Sequence, residues 1–189
     1  MSAAAWGTDT ARLARALEAA RDSADGASAA LRQSAAFDSL RRAVRGHTGV
    51  RLDTTQVAQG HGLDRAASIL AGAADSALLD IGGQYLWIGA RETRRAVGIP
   101  DPDNSLSALA TVEMRAGSAS TASDSGVTVT VLATNGLVAA AWSTSLSRLG
   151  CDSALALAPR VSLSVVCADP AGVRWTKDLE GRVQPARAP

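Results

Sequence analysis

The stretch VTVTVLATNGLVAAAWSTSLSRLG, residues 127–150, changes its period halfway along, and no other segment restricts the fold so much. Val127, Val129 and Val131 alternate with Thr128 and Thr130, the repeat of a strand with one buried face. Asn135 then stands where a helix cap belongs, and Gly150 supplies the stop. On that helix Ala140 and Thr144 share one face, one turn apart. A carboxylate at position 140 would make the pair a magnesium site; the chain has a methyl group there.

Other segments supply the rest of the pattern. Thr8 to Ala24 has helical spacing at Leu13, Ala16, Leu17 and Ala20; Phe37, Leu40 and Val44 mark a second short helix, and VRL a brief strand. A helix is expected from about Gly62 to Ala71, burying Leu63, Ala67 and Leu70. SALLDI, YLWIG and RAVGI read as short strands punctuated by Gly82-Gly83, Gly89 and the PDPDN turn, and LATVEMR as another. A short helix at Asp152 to Ala158, the strands VSLSVVCA and VRWTK, and a frayed tail after Gly181 complete the chain. The sum is an α+β domain, a mostly antiparallel sheet with helices on it.

With 189 residues, 47% hydrophobic and 20% charged, the chain suits one domain with a real core. The formal charge of +1, with arginines scattered among acids, argues against nucleic acid and anionic membrane as partners. Cys151 and Cys167 are a poor disulfide framework and form no zinc motif, so free thiols in a reducing compartment are expected. The start MSAAAWGTDTARL has neither the basic residues nor the apolar run of a secretion signal, and no apolar stretch approaches about 18 residues. A cytoplasmic protein is the expectation.

The order of the motifs resembles the ApbE family, the FAD:protein FMN transferases. VAQGHGLDRAASIL is similar to the segment in which lysine, glycine, an aromatic residue and aspartate precede a helix. SALLDIGGQYLWIG resembles its strand, double-glycine turn and strand; RRAVGIPDP, GSASTASDS, the 127–150 unit and LGCDSALALAPRVSLSVV follow in the family's order. The resemblance implies one ApbE-like (T-fold-like) domain over residues 1–189: a reduced helical part at 1–54, a family-like core at 55–176 and a flexible tail at 182–189. It further implies a nucleotide site, FAD or FMN as ligand, and magnesium at the pyrophosphate to stabilise the leaving group.

Against that pattern the chain departs at several points. Ala140 replaces the family's metal-binding aspartate, leaving Thr144 alone, and a neutral hydroxyl is a weak magnesium ligand. Gln59 stands for a phosphate-facing lysine, and only Ser125-Gly126 lies between Asp124 and Val127, where the family carries a loop with a histidine. No metal ligand is therefore assigned.

His61, between Gly60 and Gly62, is read either as an acid/base group or as a solvated histidine at a helix start. Asp64 matches a nucleotide-holding aspartate, although an acid in a first helical turn also complements the helix dipole. Asp80 before Gly82-Gly83 is a ligand approach or a tight turn, and Asp124 with Ser120, Thr121 and Ser123 a ligand loop or, more simply, a turn. Tyr85 and Trp87 share a strand face and stack a ligand or fill the core. The arginine groups Arg41, Arg42, Arg45 and Arg91, Arg94, Arg95 read as solvated surface. The catalytic candidates are His61, Asp64 and Asp124; the ligand-binding ones are Gln59, Gly60, Asp80, Gly82, Gly83, Thr121 and Thr144. The resulting expectation is a metal-independent pocket that takes a small aromatic metabolite and processes it by acid/base catalysis, as in specialised biosynthesis. Its alternatives are a noncatalytic flavin- or protein-binding module and a transferase with an altered metal site.

Overall fold

In the computed structural model, residues 2–6, 15, 54–90, 93–101 and 107–186 are described. The helix expected at 8–24 apart from Arg15, the helix expected at 37–44, the VRL strand, and Arg41, Arg42, Arg45 and Arg91 lie outside them. Thirteen labelled elements follow the chain: β1 (Ser2–Trp6), α1 (Thr54–Leu70), β2 (Ser76–Ile81), β3 (Gln84–Ile88), β4 (Arg95–Pro100), β5 (Ala108–Met114), β6 (Gly117–Asp124), β7 (Val127–Ala133), α2 (Gly136–Ser147), α3 (Cys151–Leu157), β8 (Ser164–Asp169), β9 (Gly172–Trp175) and β10 (Val183–Pro185). A seven-stranded antiparallel sheet runs β1-β2-β3-β6-β7-β8-β9, and β10-β5-β4 form a second, three-stranded one. The architecture is α+β, as the sequence indicates.

Alternation along the strands sorts the side chains onto two faces. Towards the small sheet the large one turns Trp87, Ala119, Leu132 and Val166, which pack with Val97, Ile99, Val112 and Met114 in one core. Its other face carries the helices: Leu63 and Leu70 of α1 meet Leu79 and Leu86, while Leu146 of α2 and Ala154 of α3 cover Val129, Val131 and Val165. Trp87, 1% exposed, and Tyr85 beside it thus belong to the core between the sheets.

Two hairpin turns are set by local chemistry. Gly82 and Gly83 have φ +60° and +83°, the left-handed pair that a two-residue hairpin needs, and the Gly83 N–H donates to Asp80 Oδ1 at 2.9 Å. Ser125 and Gly126 repeat the device between β6 and β7, with φ 50° and 80°.

Four sequence expectations change. GSASTASD is not a polar loop but β6, paired with β3 on one side and β7 on the other. Its hydroxyls find partners inside the fold: Ser120 with Ser143 at 3.0 Å, Thr121 with Thr130 at 2.8 Å, Ser123 with Thr128 at 2.9 Å. A run of small polar residues therefore serves as a central strand, because neighbouring elements answer each hydroxyl. The tail expected to fray after Gly181 supplies β10, which gains ladder bonds from β5, with Val183 opposite Val112. α1 starts two turns before Gly62, so the Gly60-His61-Gly62 turn is helix interior. Finally, Cys151 and Cys167 are not free: they form a disulfide with Cα atoms 5.6 Å apart, because α3 folds back onto β8. No helix among the described residues is long and apolar enough to cross a membrane.

Candidate functional site

The helices α1 and α2 lie antiparallel and touch at their backbones. A Cβ built on Gly60 would stand 2.3 Å from the Gly136 carbonyl oxygen and 3.0 Å from Ala140 Cβ. Two glycines therefore close the seam, offsetting their poor helix propensity with a contact no larger residue permits. Ala140 is fully buried in it, and Thr144, one turn on, is 4% exposed.

What surrounds Thr144 is a set of neutral oxygens and amides. Its hydroxyl donates to Gln56 Oε1 at 2.8 Å and lies 3.0 Å from the Ala140 carbonyl oxygen. Gln84 Nε2 donates to the Gln56 carbonyl at 2.9 Å, and Gln84 Oε1 is buried with no hydrogen-bond partner. Magnesium asks for hard, largely anionic oxygens in an octahedral shell. Among the described residues no carboxylate is bonded to Thr144, its proton is directed at an amide oxygen, and the methyl of Ala140 packs on Gly60. The residues do not fit magnesium. Among the described residues no group of three or more His, Cys, Asp or Glu side chains is placed to hold a metal.

Asp64 occupies the other end of the seam. Its Oδ1 accepts the Gly136 N–H at 2.6 Å and its Oδ2 the Leu137 N–H at 2.9 Å, while Asn135 Oδ1 takes the Val138 N–H at 2.9 Å. Three of the four orphan donors of α2 are thus satisfied by side chains. The dipole reading of Asp64 is realised on a different helix from the one that carries it. Burial pushes its carboxyl above the usual Asp range; the two backbone hydrogen bonds and the nearby His61, one turn earlier, pull it down by less.

The remaining candidates divide between two places. Gln59 lies over the β2–β3 turn, its amide atoms 3.6 and 3.7 Å from where a Gly82 Cβ would be, and Asp80 is committed to Gly83 in the same turn. Thr121 is bound to Thr130, and Asp124 pairs with Arg148 at 3.2 Å beyond the C-terminus of α2. Asp64 and Asp124 thus hold opposite ends of a 12-residue helix, about 18 Å long at ~1.5 Å per residue. His61 and Asp64 share a helix face; Asp124 does not join them.

A cleft of about 930 Å³ opens beside Asp64, between the N-terminus of α2, the end of β3 and the start of β6. Leu86, Ile88, Leu137 and Val138 form its walls and Arg115 stands on the rim. Of the catalytic and ligand-binding candidates only Asp64 lines it; Trp87, weighed as a stacking or core residue, lines it too, although it is 1% exposed. Arg115 was not singled out in the sequence; its one signal is its place in the Arg115-Ala116-Gly117 connection between two strands, where Gly117 takes φ +140°.

The profile of the ApbE family matches residues 3–126. Among solved structures the chain is similar to a flavin transferase ApbE from Vibrio cholerae, with TM-score 0.55 and 20% identity over 69% of this chain and 52% of that one. It is also similar to the ApbE protein of Thermotoga maritima, with TM-score 0.59 and 16% identity over 95% and 80%. The flavinyl transferase ApbE of Pseudomonas stutzeri, in its apo form, gives TM-score 0.55 and 22% identity over 70% and 51%. The chain spans about half the length of the Vibrio and Pseudomonas proteins, and at these identities the likeness is one of fold. No curated protein sequence matches. With the profile covering well over half of its residues, the chain belongs to the ApbE family.

Proposed function

We propose that this chain is a flavin-transferase-fold domain that has lost magnesium-dependent FMN transfer and keeps a site for a small, partly aromatic molecule, a use suited to specialised biosynthesis. One observation carries the reading. Ala140 and Gly60 are in contact where a metal-binding carboxylate would have to stand, and the Thr144 hydroxyl is bound to Gln56. A phosphoryl leaving group without a cation loses most of its charge stabilisation. The test is incubation of the purified protein with FAD and magnesium, with AMP followed by chromatography. No AMP above the rate without protein is the expected result, and flavin binding, where it occurs, is unchanged by a chelator. Magnesium-dependent AMP release overturns the proposal and restores an active transferase with different ligands.

Acid/base catalysis in the retained site is favoured by a specific feature. Asp64 lines the open cleft, and its burial raises its carboxyl above the ordinary Asp value, the direction of shift that general acids show. His61, one turn earlier on the same helix, is the second candidate for this site.

A further inference from the structure

In the family-like motifs nearly every polar group is committed to the protein itself: Asp80 to its hairpin, Thr121 to Thr130, Asp124 to Arg148, Thr144 to Gln56. The cleft beside Asp64 differs, because it opens between buried and half-buried apolar side chains and carries on its rim Arg115, which has no carboxylate partner among the described residues. Asp64 has both oxygens on backbone N–H groups, Asn135 caps Val138, and Ser68 donates to the Arg65 carbonyl. Arg94, Arg148 and Arg174 each have a carboxylate partner, whereas Arg115 has none among the described residues.

Next to the cleft lies a second hollow of about 230 Å³, which shares Arg115, Ala116, Gly117 and Thr134 with it and has Arg182 on its wall. The Arg182 guanidinium donates from Nε and Nη2 to the Glu113 carbonyl at 3.0 and 2.7 Å, which fixes its position, and it has no carboxylate partner among the described residues. Both arginines line this hollow together with Gly117, the glycine that starts β6. A Cβ at Gly117 would meet the Ala133 carbonyl oxygen at 2.7 Å, so this connection sits close against β7. A largely apolar cleft within the size range of ligand pockets thus has Arg115 on its rim, with Arg182 on the wall of the adjoining hollow.

We propose that this cleft is a binding site for a small organic anion, its ring- or chain-shaped apolar body lying on Leu86, Ile88, Leu137 and Val138 and its carboxylate, sulfonate or phosphate held by Arg115. The proposal rests on the reading of the chain as a small-molecule-binding domain and gives that ligand a place and a charge. Arginine suits the role because its fork of donors matches such groups in two bonds at once.

The probe is 8-anilinonaphthalene-1-sulfonate, compared with the uncharged N-phenyl-1-naphthylamine, each titrated into the ¹⁵N-labelled full chain. The sulfonate is expected to shift the amide resonances of Gly89, Gly117 and Leu137. Arg115→Ala should weaken it about tenfold, the loss of one charge-assisted contact, and leave the uncharged dye within about twofold. Arg115→Lys, which keeps the charge but not the two-bond fork, should recover only part of the lost sulfonate affinity, and Ala71→Trp at the exposed cleft rim should block both dyes. Shifts confined to residues away from the cleft, or an equal effect of Arg115→Ala on both dyes, overturn the proposal. If FMN instead moves the resonances of Gln59 and Gly82 and the cleft stays silent, the small-molecule reading stands and this placement falls.

Discussion

Gly60 and Gly136 touch backbone to backbone: a Cβ on either would come within 2.3 or 2.4 Å of the other's carbonyl oxygen. Since the obstacle is main chain, no rotamer can relieve it. Gly60→Ala should therefore cost about 3 kcal/mol by forcing α1 and α2 apart. In a chain of this size that is a fall of about 6–12 °C in Tm, read by thermal unfolding. An unchanged Tm would mean that the helices do not cross at these glycines.

Removing the Asp64 carboxylate strips two N–H donors of their acceptors at once. Asp64→Ala should destabilise the fold by about 2–3 kcal/mol in urea unfolding, and Asp64→Asn, which keeps one acceptor oxygen, by about half as much. The pH dependence has a definite sign. Because burial raises the folded-state pKa, the folded chain holds this proton more tightly than the unfolded one. The contribution is complete below the ordinary value of 3.8 and is lost as pH rises through the raised folded value. Measured against Asp64→Asn, the stability advantage of the native residue should shrink over that window; an advantage that grows with pH contradicts the assignment.

Restoring a carboxylate alone should not restore a metal site. Ala140 is fully buried against Gly60, and the threonine it would act with is already bound to Gln56. Ala140→Asp should cost about 3 kcal/mol or more, since it places a charge in a dry seam without a partner. Calorimetric titration should then find no magnesium binding at millimolar concentration. A micromolar site in this variant would show that the seam opens readily around a cation.

The disulfide makes a separate claim. It closes a loop of 16 residues between α3 and β8, and reduction should lower stability by about 3 kcal/mol on the loop-entropy account. Alkylation of protein isolated without reductant should label neither cysteine, and the difference in urea midpoint with and without dithiothreitol gives the cost. Two labelled thiols in freshly isolated, folded protein would refute the pairing.

Where structure follows from neighbouring residues, it could be read directly from the sequence. The valine–threonine alternation of β7, the Asn135 cap, the Gly82-Gly83 turn and the short β-type runs on either side of it all appear where expected, because each depends on period, cap or φ within a few residues. Four decisions required the fold itself. GSASTASD is a strand only because β3 and β7 flank it and answer its hydroxyls; the segment after Gly181 is ordered only because β5 offers an open edge. Cys151 meets Cys167 only once α3 has folded onto β8, and Asp64 finds its partners 72 and 73 residues away, on a helix brought close by two glycines. The sequence by itself thus determined which segments are strands and helices wherever the cause is local. The tertiary structure decided which polar groups are already satisfied and which, like Arg115, remain available to a ligand, since that depends on which distant backbone arrives beside each side chain.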